Sequence, residues 1–190
     1  ELVQKINFTL ENCYSVAWDG DVGREHFLRS ECYGVIPIEE DEYIKYDDMT
    51  DAEKAAVDYE AEIRRFFGIY DKQIPVFDFV LLGMGADGHT ASLFTDTSAL
   101  AENERLVVAN WVDKFQSTRL TLTLPVFSHA SRILFLVCGE DKAETLKAVL
   151  EGDAKITRFP VQLIQPTHGE MNWFLDESAA SRLALLKQKQ

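Results

Sequence analysis

The sequence FDFVLLGMGADGH spans residues 77–89 and indicates the class of fold. Its first six residues form a largely apolar run of the length expected for a buried strand, and glycines follow at positions 83, 85 and 88. Open α/β sheets bind their ligands in the crevice beyond the carboxyl ends of the strands. The stretch therefore predicts a sheet strand and, directly after it, a candidate site.

Apolar runs alternate with amphipathic stretches from residue 77 onward, which is typical of layered α/β proteins. In RLTLTL, residues 119–124, strict alternation places the three leucines on one face of a strand and Arg119 with two threonines on the other. Strands are predicted at residues 77–82, 105–109, 119–124, 132–137 and 161–164.

Helices are predicted in three places. Thr50 and Glu53 form a capping box, and behind it apolar residues fall at helical spacing until Gly68 ends the helix. A second helix is predicted over residues 140–150, and a third begins at Asp176 and runs to about residue 186. Together these elements predict an open, mainly parallel, Rossmann-like α/β sheet with helices on both faces.

The first 45 residues differ from the rest of the chain. Residues 14–18 resemble a strand, but DGDVG at 19–23 interrupts it, and no clear β-α-β unit precedes Phe77. We therefore expect a single α/β domain over residues 1–190, with an atypical segment at 1–45 and an opening β-α-β unit that is missing or incomplete.

The charge balance restricts the possible partners. The chain has 32 Asp and Glu residues against 19 Lys and Arg residues, a formal net charge of −13. This argues against nucleic acid and against an anionic membrane surface, since both need basic stripes. A small anionic substrate would need a local cation, so each cation near a polar loop is informative.

Other patterns exclude further classes. No apolar run approaches the ~18 residues of a membrane span and no signal peptide is visible, so a cytoplasmic location is expected. The cysteines are odd in number and lack C-x-x-C spacing, and the histidines outside the glycine loop lack metal-ligand spacing. Neither a disulfide nor a metal site is predicted, and the sequence carries no signal for an oligomeric state.

The glycine loop is open to two functional interpretations. Gly83, Gly85 and Gly88 satisfy the G-x-G-x-x-G pattern of dinucleotide-binding proteins, but the following segment breaks at residues 95–98 instead of continuing as a long helix. Alternatively, Asp87 and His89 project into one crevice, where a neutral imidazole can remove a proton from water. A histidine that only caps a helix or satisfies a core hydrogen bond is the structural alternative.

Several motifs in order resemble those of the 6-phosphogluconolactonases, within the glucosamine-6-phosphate isomerase/deaminase superfamily. The resemblance extends from residue 50 to about residue 183. The motifs are FDFVLLGMGADGHTASLF at 77–94, RLTLTLP at 119–125, ILFLVCGEDKAETLKAVLEG at 133–152 and NWFLDESAA at 172–180.

The resemblance implies hydrolysis of 6-phospho-D-glucono-1,5-lactone to 6-phosphogluconate, in the pentose phosphate pathway. It implies no metal and no organic cofactor, and the partner is a small sugar-phosphate lactone. His89 falls on the catalytic histidine of the family, which acts as the general base toward water. Asp87 falls on the aspartate of the same motif and is expected, as the supporting carboxylate, to orient the loop, the histidine or a substrate hydroxyl.

The resemblance also implies substrate-binding positions. Arg119 and Lys142 match family residues at the phosphate end of the substrate. Substrate binding is also expected at Gly83, Gly85 and Gly88, and on geometric grounds nearby N–H groups of the loop are expected to stabilise the oxyanion.

Two alternatives remain open. Glucosamine-6-phosphate deaminases follow the shared D-G-H core with I-A-F-N-E-P, and Phe94 stands where their glutamate would be, which disfavours a deaminase. A non-catalytic sugar-phosphate binder is the other, because the family's S-G-G-S-T-P loop and W-G-D-E-R segment are not found. The nearest sequence is WDGDV at 18–22, and Arg24 would have to replace the missing arginine by a different path.

Overall fold

A computed structural model describes residues 52–153 and 158–184 of the chain. In chain order, the helices and strands are α1 (Ala52–Phe67), β1 (Val80–Leu82), β2 (Val107–Val112), β3 (Ser117–Leu122), α2 (Leu124–Ser128), β4 (Arg132–Val137), α3 (Ala143–Glu151) and β5 (Glu170–Leu175). Single 3-10 turns lie at Ser98–Ala101, Asp113–Phe115, Glu140–Lys142, Pro160–Leu163 and Ala179–Arg182.

The central sheet of the described residues has three parallel strands in the order β1-β4-β5. β4 pairs with β1 from Ile133 to Phe135 and with β5 along its whole length. β2 and β3 form a separate antiparallel pair. The prediction of a mainly parallel α/β fold is therefore confirmed, although residues 119–122 of RLTLTL belong to the antiparallel pair.

The strand predictions differ in accuracy. Residues 132–137 form a strand with the predicted bounds, whereas β1, β2 and β3 are displaced by two or three residues at one or both ends. The prediction of a strand at 161–164 is wrong, because Pro160–Leu163 form a 3-10 turn. Pro160 has no backbone N–H group to donate to a neighbouring strand. The Gln162 side chain accepts hydrogen bonds from the amides of Arg158 and Phe159, which favours the turn.

Two helix predictions are confirmed in their main part. α1 buries Ala55, Ala56, Tyr59 and Ile63 on one face and ends at Gly68, whose φ of +61° suits glycine. Thr50 lies outside the described residues. The helix predicted over 140–150 starts with a 3-10 turn and continues as α3.

The third helix prediction is wrong within the described residues, where a short 3-10 turn follows Asp176. The Asp176 carboxylate caps this turn by accepting the Ala179 amide, at 2.7 Å, and it also accepts the Gly139 amide, at 3.0 Å. This second bond ties the chain after β5 to the chain after β4. The sequence therefore predicts the capping role of Asp176 correctly, but it does not predict that the capped segment is only a short 3-10 turn.

The carboxyl ends of the parallel strands lie at one edge of the sheet, so the glycine loop after β1 and the loop after β4 are neighbours. The Thr145 hydroxyl in the first turn of α3 donates to the Ala86 carbonyl oxygen, at 2.6 Å. Beneath this edge the core is close-packed, with Phe135 of β4 stacked on Trp173 of β5 at a centroid distance of 4.2 Å. None of the described helices is long and apolar enough to cross a membrane.

Glu60 joins α1 to the antiparallel pair. Its Oε2 accepts the amide of Leu106 at 3.0 Å and that of Val107 at 3.4 Å, and its Oε1 accepts Nη2 of Arg64 at 2.8 Å. Its side chain is 15% exposed. A carboxylate in this position satisfies backbone donors at the start of β2 that would otherwise lose their partner.

Replacing Glu60 by alanine is expected to lower the free energy of unfolding by about 1.5–3 kcal/mol, because two backbone amides and an arginine lose a charged acceptor. Urea denaturation of the parent protein and the variant measures this. Glu62→Ala is the matched control, since Glu62 pairs with Arg65 on the same helix and such pairs contribute about 0–1 kcal/mol. Equal losses in the two variants would contradict the role given to Glu60.

Candidate active site

The glycine loop, residues 83–94, folds back on itself after β1. The Gly88 amide donates to the Gly85 carbonyl oxygen and the Gly85 amide donates to the His89 carbonyl oxygen, both at 2.9 Å. The Thr90 hydroxyl donates to the Gly83 carbonyl oxygen at 2.7 Å. The amides of Gly85 and Gly88 are therefore engaged within the loop and are not free to bind an oxyanion.

Two of these positions require glycine for steric reasons. A Cβ on Gly85 would lie 2.2 Å from both Cε1 and Nδ1 of the His89 ring. Gly88 has a φ of +79°, and a Cβ there would lie 2.5 Å from Cδ1 of Phe159. The loop thus allows the imidazole to lie directly against its backbone.

Asp87 and His89, which the sequence analysis expects in one crevice, form a hydrogen-bonded pair. The Nδ1 atom of His89 lies 2.5 Å from Oδ1 of Asp87, and the His89 amide donates to the same oxygen at 3.3 Å. A carboxylate at Nδ1 favours the tautomer that carries its proton there. The nitrogen available to accept a proton is then Nε2.

Lys114 is part of the same cluster, and the sequence analysis did not name it. Its Nζ donates to Oδ2 of Asp87 at 2.8 Å. Partial burial raises the pKa of Asp87, but the hydrogen bonds from Lys114 and His89 outweigh burial and hold this pKa well below its ordinary value. The signal that could have found Lys114 is a cation in a polar turn of an acidic chain.

Aromatic rings connect the pair to β3. The ring of Phe94 stacks on that of His89 at a centroid distance of 4.1 Å and an angle of 23°. Phe115 meets Phe94 edge to face at 5.6 Å, and the guanidinium of Arg119 lies 4.3 Å from the centre of the Phe115 ring. Arg119 is thus linked to His89 through the rings of Phe115 and Phe94, of which the sequence analysis named only Phe94.

A cleft of about 520 Å³ opens beside the pair. Such a volume suits a small molecule. Its wall includes the half-exposed indole of Trp111, whose Nε1 donates to Oδ1 of Asp113 at 2.8 Å. The residues that line the cleft are Asp87, His89, Phe94, Thr95, Asp96, Thr97, Ser98, Trp111, Val112, Asp113 and Lys114.

Lys142 lies in the loop after β4, on the same edge of the sheet as the glycine loop. Its Nζ is 2.9 Å and 3.0 Å from the two carboxylate oxygens of Asp141. Neither Lys142 nor Arg119 is among the described residues that line the cleft. The geometry therefore brings Asp87 and His89 together, sets Arg119 behind Phe115 and leaves Lys142 on the neighbouring loop.

No group of three or more His, Cys, Asp and Glu side chains in residues 52–153 and 158–184 is arranged to hold a metal ion.

The chain is similar to proteins of one family over most of its length. The profile of the family described as "Glucosamine-6-phosphate isomerases/6-phosphogluconolactonase" matches residues 15–173. The 6-phosphogluconolactonase of Homo sapiens is 41% identical over 155 residues, which are 81% of this chain and 59% of that protein. That of Synechocystis is 40% identical over 133 residues, which are 70% of this chain and 54% of that protein. The chain therefore spans little more than half the length of these relatives.

The fold is also similar to that of a solved structure, the 6-phosphogluconolactonase from Trypanosoma cruzi. The TM-score is 0.63 and the sequence identity is 33%, with 72% of this chain and 54% of that chain covered.

Replacing Gly85 by alanine is expected to displace the His89 ring and break its hydrogen bond to Asp87, because the new Cβ would overlap the imidazole. In proton–nitrogen NMR spectra of the imidazole groups, the downfield Nδ1–H signal of His89 should be present in the parent protein and absent from the variant. Gly83→Ala is the control, since the nearest atom to its Cβ would be the Leu136 carbonyl oxygen at 3.9 Å. An unchanged signal in Gly85→Ala would refute the close contact.

Proposed function

The chain belongs to the family of glucosamine-6-phosphate isomerases and 6-phosphogluconolactonases, and we propose that its protein is a 6-phosphogluconolactonase. The reaction is hydrolysis of 6-phospho-D-glucono-1,5-lactone to 6-phosphogluconate, in the pentose phosphate pathway and in the cytoplasm. The observation that carries the proposal is the Asp87–His89 hydrogen bond of 2.5 Å at the wall of an open cleft. It is the arrangement that a base-assisted attack of water on a lactone needs.

The proposed chemistry uses one imidazole twice. Nε2 of His89 removes a proton from water while the water oxygen forms a bond to the lactone carbonyl carbon, which gives a tetrahedral oxyanion. The bond between that carbon and the ring oxygen then breaks, and the imidazolium returns its proton to the departing oxygen. Asp87 holds Nδ1–H throughout and stabilises the imidazolium by its negative charge.

Phe94 supports a lactonase over a deaminase. Its side chain is 5% exposed and stacks on the His89 ring, at the sequence position where deaminases carry the glutamate that supports ring opening. An aromatic ring there cannot transfer a proton to a sugar. Lactone hydrolysis needs no second acid at this position, because the imidazole both takes and returns the proton.

Phosphate recognition is proposed for Arg119 and Lys142. A phosphate group carries about −1.5 to −2 charges near neutral pH, so it competes well with the exposed carboxylate of Asp141 for the Lys142 ammonium. The amino end of α3 follows Lys142 directly, and its dipole also favours an anion. Arg119 is oriented by its contact with Phe115.

The glycines of the loop have a different role in the proposal. They shape the loop that faces the substrate, at positions Gly83, Gly85 and Gly88.

Replacing His89 by asparagine is expected to lower turnover by about 10²- to 10⁴-fold with the fold intact, because the general base is removed. The lactone is generated in situ from glucose 6-phosphate, and its loss is followed against the spontaneous rate. His168→Asn is the control, since His168 is exposed and lies outside the cleft. Turnover of the His89 variant within about twofold of the parent would exclude the imidazole from the mechanism.

Replacing Lys142 by alanine is expected to raise KM by about tenfold with kcat little changed, because the lost ammonium binds the non-reacting end of the substrate. Saturation kinetics with the same assay measure this. Lys147→Ala removes an exposed lysine from α3 and should leave both constants unchanged. Normal KM in the Lys142 variant would place the phosphate elsewhere.

A further inference from the structure

Lys114 reaches the catalytic pair from a different part of the fold. It lies in the 3-10 turn Asp113–Phe115 between β2 and β3, 27 residues after Asp87 in the chain. Its ammonium and the Asp87 carboxylate both line the cleft, with Nζ 2.8 Å from Oδ2. An antiparallel hairpin thus contributes a charge to a loop that belongs to the parallel sheet.

The two oxygens of Asp87 have separate partners. Oδ1 binds His89 through Nδ1 and the backbone amide, and Oδ2 binds Lys114. The terminal torsion of an aspartate is broad, so a carboxylate held at one oxygen can rotate away from its partner. A carboxylate held at both oxygens keeps one orientation.

We propose that Lys114 is a positioning residue for the catalytic pair. Its ammonium fixes the Asp87 carboxylate so that Oδ1 faces the Nδ1–H group of His89. This inference rests on the proposed function, in which Nε2 of His89 is the base. By fixing Asp87, Lys114 holds His89 in the tautomer that presents the Nε2 lone pair to the cleft.

The turn that carries Lys114 is itself firmly held. The backbone amide and the side-chain amide of Gln116 both donate to the Asp113 carbonyl oxygen, at 3.1 Å and 2.9 Å. The neighbouring Phe115 ring packs edge to face on Phe94, which stacks on His89. The turn therefore contacts the pair in two ways. Lys114 binds the Asp87 carboxylate, and Phe115 packs on the Phe94 ring that stacks on His89.

The exposure of the ion pair separates this role from a general stabilising one. The side chains of Lys114 and Asp87 are 57% and 39% exposed, and ion pairs at such exposure contribute little to folding stability. A residue that only stabilised the fold would lower activity in proportion to unfolding. Lys114 is expected to affect kcat while leaving the thermal midpoint almost unchanged.

The test compares Lys114→Met with Lys114→Arg and with Lys54→Met, using the full-length protein. Lys54 is the matched control, because its ammonium pairs with Asp58 on the exposed face of α1 and the variant removes the same charge. Kinetics with the lactone give kcat and KM. Nitrogen NMR of the imidazole groups, with His89 assigned by its absence from His89→Asn, gives the tautomer of His89.

Lys114→Met is expected to lower kcat by at least about tenfold, with KM changed by less than about twofold, and to lower the share of the Nδ1–H tautomer. Lys114→Arg should recover most of the turnover and the tautomer, since a guanidinium donates to the same oxygen. Lys54→Met should match the parent in every measurement.

Two results would overturn the inference. A parent-like kcat and tautomer in Lys114→Met would show that Asp87 needs no support from the hairpin. A raised KM with kcat and tautomer unchanged would show that Lys114 binds the substrate instead. If the parent protein does not accelerate lactone hydrolysis, the proposed function fails, and the NMR comparison still decides whether Lys114 positions the pair.

Discussion

The contact between the His89 ring and the backbone of Gly85 is the constraint on which the rest of the site depends. A methyl group on Gly85 would lie 2.2 Å from both Cε1 and Nδ1 of the ring, which is too close for the ring to stay where it is. With hydrogen there instead, the imidazole lies close to the loop, within reach of Asp87 on one side and of Phe94 on its face. The reactive geometry therefore arises from the absence of a side chain as much as from the presence of one.

The site is assembled from two sheets with different tasks. The parallel sheet supplies the glycine loop at its carboxyl edge, and the antiparallel pair supplies Lys114 and Arg119. Buried Asn110 of β2 holds the two together, since its side-chain amide donates to the Ser92 carbonyl oxygen at 2.8 Å and to the Thr97 hydroxyl at 3.1 Å. A shift of β2 would therefore be felt at the carboxyl end of the glycine loop and in the segment directly after it.

Sequence predicted those features whose causes are local. Asp87 and His89 are two residues apart in one tight loop, and residues 133–137 are an uninterrupted apolar run, so both features could be identified without the fold. The contact of Lys114 with Asp87 depends on how the β2–β3 hairpin packs against the glycine loop. The spacing of residues along the sequence does not predict this packing.

The errors in the fold also have non-local or competing causes. β5 was missed because its neighbours, not its own alternation of exposed and half-buried residues, make it a strand. Residues 161–164 do not form the predicted strand, because Pro160 and the Gln162 side chain together favour a turn. The helix predicted from Asp176 is a short 3-10 turn, and the Asp176 carboxylate that caps it at the Ala179 amide also accepts the Gly139 amide of the neighbouring loop. In these segments, contacts with residues distant in sequence or the properties of a single side chain determine the secondary structure more strongly than the spacing of apolar residues does.

Phe94 bears on which reaction the proposed site can perform. The position is almost fully buried, and the ring that fills it lies parallel to the imidazole within stacking distance. A carboxylate at this position would bring a charge to a site of low accessibility, against an imidazole already paired with Asp87, and burial would favour its protonated form. A protonated carboxyl can donate a proton to a sugar, but in the proposed lactonase the imidazole itself takes a proton from water and returns it to the ring oxygen, so no second acid is needed. The Phe94 ring instead stacks on the imidazole, and in the proposed mechanism proton transfer is carried out by His89 with the support of Asp87.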